Sequence, residues 1–475
     1  MFTDLKPYPE FLSQSGTIGQ TPTGWASFRL KSLVRNVVDF ASDRHVNDTY
    51  LALEHVESWT GRIHLDPSAS FDSQVKRFES GDVLFGKLRP YLAKVVVPSF
   101  GGVCAGEFFV IRPKSSELSC SYLGFLMRSA PVITLINGST FGAQMPRADW
   151  GFVGSMRIAV PPKDEQAAIV KYLGHANARI DRAIAAKRKL IALLEEQQQA
   201  VINHAVTRGL DPDVPMKDSG IPWLGSIPVH WNVRRAKYLL RDIDARSETG
   251  LEEQLSVSHL TGVTPRRLKN VTMFMAASYV GHKTCRAGDL VVNTMWAWMG
   301  ALGCAREAGL VSPAYNVYRP LQGSGTDTEF VGALFRTPKY IAYFRSNSTG
   351  VRASRLRFYP DELLATPVVL PPSDEQAAIV LAIEELRARV SADLEKVARE
   401  IELLREFRTR LTADVVTGQL DIRDAAARLP DLDPADLVSN IGPDEDDLDA
   451  DLEAGLELTD VKRERIDRRE SQDGQ

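Results

Sequence analysis

A ten-residue stretch of this chain recurs with one change: Pro161-Pro162-Lys163-Asp164-Glu165-Gln166-Ala167-Ala168-Ile169-Val170 returns 210 residues later as Pro371-Pro372-Ser373-Asp374-Glu375-Gln376-Ala377-Ala378-Ile379-Val380. Upstream, Trp25 answers Trp231, Gly81-Asp82 answers Gly288-Asp289 and Arg112-Pro113 answers Arg319-Pro320, at offsets of 206 to 207. A match of this extent is a domain duplication, and 475 residues suffice for two globular modules with connecting elements. Between the shared landmarks the copies have diverged almost completely, as residues 83–109 and 290–316 show. A kept frame around a rewritten interior points to two readers of two different ligands, not to one fixed catalytic constellation.

The net charge of −4 is unevenly placed. Residues 421–475 hold 18 acidic and 7 basic side chains, or −11, which leaves +7 on residues 1–420. A mildly basic body permits a nucleic-acid partner without requiring one. The acidic end, with Asp444-Glu445-Asp446-Asp447, has the composition of a disordered tail. No apolar run reaches the roughly 18 residues of a membrane span, and the first residues lack the regions of a signal peptide, so a cytoplasmic protein without a membrane partner is expected. Cys104, Cys120, Cys285 and Cys304 form no Cys-x-x-Cys pair and have no histidine at ligand spacing, so reduced thiols and no metal site are expected.

Each copy closes in a long helix. Pro371-Pro372 ends the preceding segment, and Ser373 with Gln376 has capping-box spacing. From there Val390, Leu394, Val397, Ile401, Leu404, Arg408, Leu411 and Val415 alternate steps of four and three, which is a coiled-coil seam. The first copy keeps the register with Ile180, Ile184, Lys187, Ile191, Leu194, Gln198, Val201 and Ala205. Matching seams favour pairing of the two helices over two amphipathic helices lying separately on their modules. At 1.5 Å per residue each would run about 60 Å. Short apolar stretches at residues 92–97, 108–111 and 289–292 read as strands, and residues 118–128 and 329–344 as helical, so each module is mixed α/β. The expected boundaries are residues 1–160 and 229–370 for the modules, 161–208 and 371–418 for the long helices, 209–228 for a Pro/Gly linker, and 419–475 for the acidic tail.

Catalytic motifs are missing. Gly81 to Lys87 has phosphate-loop spacing, but Leu88 stands where a Ser or Thr must ligate Mg²⁺, and the second copy lacks the second Gly and the Lys. A turn entering a strand accounts for Gly-Asp more simply. Val160 and Leu370 stand where an Asn or Asp precedes Pro-Pro in amino-group methyltransferases, and no Gly-rich cofactor loop accompanies them. Neither a nucleophile elbow nor a zinc-protease motif is present. A non-catalytic chain without a cofactor of its own is expected.

The paired Pro-Pro-x-Asp-Glu-Gln-Ala-Ala-Ile-Val boxes, the lead-in Gly220-Ile221-Pro222-Trp223-Leu224-Gly225 before Trp231, and Val416-Thr417-Gly418-Gln419-Leu420 resemble the specificity subunit of type I restriction-modification enzymes, over residues from about 8 to 420. Tyr8-Pro9-Glu10-Phe11 is a degraded version of that lead-in, and the long acidic tail departs from the pattern. The resemblance implies an α+β or mixed α/β fold of two tandem target recognition domains separated by two long helices forming an antiparallel coiled coil. It implies that each domain reads half of a bipartite, asymmetric site in double-stranded DNA. The helices would bind two modification (methyltransferase) subunits, and restriction and motor subunits would join; S-adenosylmethionine, ATP and Mg²⁺ would belong to those partners.

Candidate readers lie where the copies differ: Lys87, Arg89, Tyr91 and Lys94 in the first module, Asn293, Trp296 and Trp298 in the second. Arginine can pair bidentately with guanine and asparagine with adenine. The two tryptophans, two apart on an expected strand, fit sheet packing equally well. A second group lies in residues 137–150 and 347–359, with Gln144 and Arg147 in the first loop and Arg352, Arg355 and Arg357 in the second. Arg147 and Arg357 agree between copies, which suits phosphate contacts that position without specifying; the alternative is a solvated surface loop. The competing reading of the whole chain is a non-catalytic protein-interaction scaffold with two divergent binding modules.

Overall fold

The computed structural model describes residues 5–12, 20–41, 49–65, 74–140, 142, 145–268, 278–350 and 356–431. Its described residues form two compact units, and the division cuts both long helices: one unit runs through Arg188 and resumes at Ala398, the other is Lys189–Val397.

In the first unit an antiparallel sheet has the strand order Val34–Val37, Phe108–Pro113, Val83–Gly86, Val95–Val96. A second sheet is ordered Phe40–Ala41, Val75–Phe78, Gly102–Ala105, Thr49–Leu51, with its last pair parallel. Ala26–Arg29 pairs with Arg157–Val160 and so delivers the chain to the first Pro-Pro. Helices Cys120–Arg128 and Ala130–Gly138 bury Leu123, Met127 and Ile133 with Phe85 and Ile111 in one core. The second unit repeats the plan: Leu240–Ile243, Tyr315–Pro320, Leu290–Asn293 and Leu302–Cys304 form the sheet, Asn232–Arg235 pairs with Pro367–Leu370, and Thr328–Phe335 and Pro338–Ser346 are its helices.

The shared landmarks are the joints of this plan. Gly81 and Gly288 take left-handed φ of 85° and 86°, which turns the chain into the strand and aims the next carboxylate inward. Asp82, 2% exposed, accepts from Arg112 Nε and Nη2 (both 2.6 Å) and from the Glu79 N–H (2.7 Å). Asp289 accepts from Arg319 Nε (2.7 Å) and Nη2 (2.6 Å) and from the Arg286 N–H (2.8 Å). Each pair ties the start of one central strand to the end of its neighbour. The resemblance to a phosphate loop disappears here, because residues 83–86 are strand.

The box after Pro-Pro is used side chain by side chain. Trp25 Nε1 donates to Glu165 Oε1 (3.1 Å), as Trp231 Nε1 does to Glu375 Oε2 (3.1 Å). Tyr8 O–H donates to Glu165, whereas His230 Nε2 lies 2.7 Å from Glu375. Gln166 accepts from the Ser119 N–H (2.7 Å) and donates to the carbonyls of Glu117 (2.9 Å) and Pro161 (3.0 Å). Gln376 accepts from the Asp327 N–H and donates to the carbonyls of Gly325 and Pro371, all at 2.9 Å. This corrects the capping-box expectation: Gln376 does not return to its own helix cap. Instead the buried Gln376 side chain satisfies backbone groups of the loop that leads into a module helix.

The long helices are Lys163–Arg208 and Ser373–Val416, each stopped by a left-handed glycine, Gly209 and Gly418. In the first unit Asp181 meets Arg408 and Lys187 meets Glu400, so one number rises as the other falls and the segments are antiparallel. There Ile180, Ile184, Ile401, Leu411 and Val415 are buried. In the second unit Val390 and Val397 are buried, Ile191, Leu194 and Leu394 half-buried, as is Leu404 in the first. The seam needs one correction. Val201 is 46% exposed, while Ile202 and Val206 join the second unit's core with Trp231, Ile379 and Ile383. Ala205 keeps its seam position at 5% exposed, so the buried stripe has widened to meet the core of the second unit.

Three further expectations are revised. Residues 92–97 form a 3₁₀ turn, Pro90–Leu92, before a strand of only Val95–Val96. The 209–228 linker folds: Met216–Asp218 pairs with Ser226–Pro228, and Trp223 stacks on Tyr343 at 4.6 Å. Residues 419–431 belong to the first unit, where helix Arg423–Ala427 buries Ala426 beside Ile422 and Asp421 bridges to Lys6; residues 432–475 lie outside the described residues.

Replacing Arg112 with Ala leaves the buried Asp82 carboxylate without its guanidinium. The unfolding free energy of the first unit should fall by about 3–5 kcal/mol. Urea denaturation followed by circular dichroism measures this, and Arg112→Lys should recover only part of the loss.

Candidate functional site

The two stretches of reader candidates are far apart in sequence, and folding joins them in each unit. In the first, the Lys87 N–H donates to Glu107 O (2.9 Å), the Ala148 N–H to Lys87 O (2.8 Å) and the Arg89 N–H to Pro146 O (2.8 Å). Leu88 and Arg147 thereby form a β-bridge. Arg89 is exposed and holds a left-handed φ of 49°, a conformation that costs a non-glycine residue about 1–3 kcal/mol and gathers where surfaces do work. Tyr91, 45% exposed, stands on the adjoining 3₁₀ turn. Arg147 pairs on the surface with Glu107 at 3.1 Å. Lys87, Arg89, Tyr91 and Arg147 are thereby brought onto two adjoining segments, on which Arg89, Tyr91, Met145 and Arg147 are exposed. Lys94 is not among them: its ammonium donates to Leu53 O (2.7 Å), and burial lowers its pKa. Gln144 lies outside the described residues.

In the second unit the Phe358 N–H donates to Thr294 O (2.9 Å), and Thr349 and Arg357 exchange backbone bonds (3.0 and 2.9 Å). Arg357 and Tyr359 are exposed on this surface. Asn293 is 5% exposed, and its Oδ1 accepts from the Met295 N–H (3.1 Å), closing a turn. That removes its oxygen from an adenine pair and corrects the expectation for this residue. Trp296 and Trp298 are not on a strand either, since Ala297–Met299 is a 3₁₀ turn. Trp298 donates its Nε1 to Met295 O (2.8 Å) and receives the Arg345 guanidinium over its ring at 5.9 Å. Trp296 tilts against His259 at 6.2 Å. Both rings are half-buried, which is the packing alternative. Arg352 and Arg355 lie outside the described residues. Sequence reasoning missed Arg345 and Tyr359; a basic residue in the last turn of the helix before the loop was the available signal for Arg345.

Burial pushes the Cys104 thiol up to about 12 and those of Cys285 and Cys304 up to about 11, so they are protonated near neutrality and poor nucleophiles. Among the described residues no group of three His, Cys, Asp or Glu side chains is placed to hold a metal ion, and no helix is long and apolar enough to cross a membrane. The thiols carry a test. Because the fold holds these protons where an unfolded thiol, at 9.0, would ionise, they contribute stability that is full below that pH and is lost as pH rises towards about 11 for Cys285 and Cys304 and about 12 for Cys104. Near neutrality a thiol reagent should leave Cys104, Cys285 and Cys304 unmodified until denaturant is added, as mass spectrometry of labelled peptides would show.

No protein-family model matches the chain. It is 24% identical over 192 residues to the type I restriction enzyme EcoDI specificity subunit of Escherichia coli, which is 39% of this chain and 42% of that protein. The chain thus aligns with well under half the length of that curated relative. In three dimensions it superposes on a chain from a structural study of complex assembly and conformational transition in a type I restriction-modification system, with TM-score 0.60 and 19% identity, covering 83% of this chain and 98% of that one. The HsdS subunit from Thermoanaerobacter tengcongensis aligns at TM-score 0.45 and 20% identity over 84% of this chain and 98% of that one. The fold is therefore that of a type I restriction-modification chain, and in sequence the protein resembles the specificity subunits of those systems.

Proposed function

We propose that this chain is the DNA sequence-specificity subunit of a type I restriction-modification complex, non-catalytic in itself. Residues 1–160 and 229–370 each read one half of a bipartite, asymmetric site in double-stranded DNA. The observation that carries this reading is the division of labour within each unit. Most residues common to both copies are spent on joints within the unit, while the divergent stretches, with the shared Arg147 or Arg357 beside them, reach the surface, where Arg89, Tyr91 and Arg147, or Arg357 and Tyr359, are exposed. Two readers on one chain add their discriminations, about 1–3 kcal/mol per mismatched base pair, which a short half-site alone could not accumulate.

On this reading Arg147 and Arg357 hold phosphates, and Lys87, Arg89, Tyr91, Arg352 and Arg355 contribute to base reading. Trp296 and Trp298 shape the second surface. The long helices, residues 161–208 and 371–418, dock two modification subunits that supply S-adenosylmethionine, and restriction and motor subunits bring ATP and Mg²⁺. The chain acts in the cytoplasm and binds no cofactor of its own.

Two measurements test this. Mapping methylated adenine across the genome, with and without this chain beside its methyltransferase, should reveal a split asymmetric motif that vanishes when the chain is deleted. An unchanged methylome sinks the reading. For Arg147→Ala, affinity should fall alike for all duplex sequences, and the slope of log K against log salt should flatten by roughly 1. A changed motif would show instead that Arg147 reads bases.

A further inference from the structure

In the first unit a cleft of about 140 Å³ opens between the loop around Gly61 and the long-helix segments. Its lining includes Trp59, Arg62, Phe125, Arg128, Asp181 and Arg408. Arg62 and Arg408 both pair with Asp181, and Arg62 lies 3.8 Å from Glu57. Arg128 has the Val95 carbonyl at 3.2 Å. Three guanidiniums thus face two carboxylates, one cation in excess. Arg408 is only 9% exposed, and its Nε has no hydrogen-bond partner among the described residues. Burial is the main cause that lowers Arg408 and brings Arg128 down to about 10, which is the mark of a charge without enough counter-charge.

The second unit repeats one part of this, the helix-end arginine beside a glycine. Arg336 ends the equivalent helix, and its Nη2 donates to the carbonyls of His259 and Leu260 (both 2.6 Å). Arg387 stands near it from the long helix, while Arg306, more than half exposed, pairs with Glu329 and Glu384 (both 3.0 Å). Gly61 and Gly262 both hold φ of 71°; a Cβ there would lie 1.9 Å from Arg128 Nη1 and 2.9 Å from Arg336 Nη1. Both loops keep the space that the arginine occupies.

A buried donor left unpaired and a desolvated cation in excess cost stability unless an anion with several acceptor oxygens completes them. Guanidinium forks match tetrahedral oxyanions, and the cleft has room for one with bound water. We propose that the cleft of the first unit is an oxyanion site that takes a phosphate group on Arg62, Arg128 and Arg408. The phosphate comes either from a DNA backbone or from solution, and only the first source rests on the function proposed above.

Calorimetric titration of inorganic phosphate into the full chain, with ionic strength held by chloride, tests the site. Saturable binding is expected, and both Arg408→Gln and Arg62→Gln should weaken it by roughly tenfold or more, the effect of losing one charge-assisted contact. Because Arg408 also anchors the helix pair, its variant is first checked by thermal melting; if it fails to fold, Arg62→Gln decides alone. Absence of phosphate-specific heat, or identical binding by folded variants, overturns the proposal. Release of bound phosphate by a short duplex identifies the backbone as the source, and retention identifies free phosphate; either supports the site. Duplex retention on filters is measured in parallel. A chain that holds duplex but ignores phosphate loses this site alone, whereas one that binds phosphate but no duplex keeps the site and loses the DNA-reading function.

Discussion

A carboxylate buried at the root of each central sheet is the constraint on which each unit depends. Asp82 and Asp289 are almost wholly removed from water, and such a charge is tolerable only with a geometrically complete partner. The guanidiniums of Arg112 and Arg319 supply it bidentately, and a backbone N–H completes each carboxylate. The pair fixes the register between two neighbouring strands, because a slip of one residue would point one member to the opposite face of the sheet. Everything hung on those strands inherits that register, including the loops that reach the surface.

The second pair of joints performs the same service at the module's closing edge. Glu165 and Glu375 bind the indole N–H of a tryptophan that opens the module, and Gln166 and Gln376 bind the loop that opens its helices. Beginning, middle and end of each module thus converge on one turn of a long helix. With the scaffold so determined, exposed residues between the joints can vary at small cost to stability, which is the condition under which one fold can carry two different recognition surfaces.

The long helices illustrate how far a one-dimensional period reaches. Steps of four and three marked Val390, Val397, Ile401 and Leu411, and all are buried. The same rule failed at Val201, where Ile202 is buried instead because the core of the second unit adds its own demand to the stripe. Lys94 and Asn293 failed for a related reason. Both are polar residues in divergent stretches, and each bonds to nearby backbone rather than facing outward.

The sequence by itself determined the duplication, the mixed composition of each module, the two long helices and the identity of the joints, because repeated residues and hydrophobic periods are local or comparative signals. What the joints do was not legible: Gly-Asp looked like a turn, and the glutamine like part of a helix cap. Their partners, Arg112 with Asp82 and Gln166 with Ser119, lie 30 and 47 residues away. Only the tertiary structure decided which polar side chains are consumed by such long-range bonds and which remain on the surface. It alone brought residues 87–89 against 146–148, gave Arg89 its left-handed backbone, and gathered Arg62, Arg128 and Arg408 on one cleft. The physical reason is that a side chain's fate depends on whether folding leaves it a partner, and the partner is chosen by the sheet register and helix pairing rather than by its neighbours along the chain.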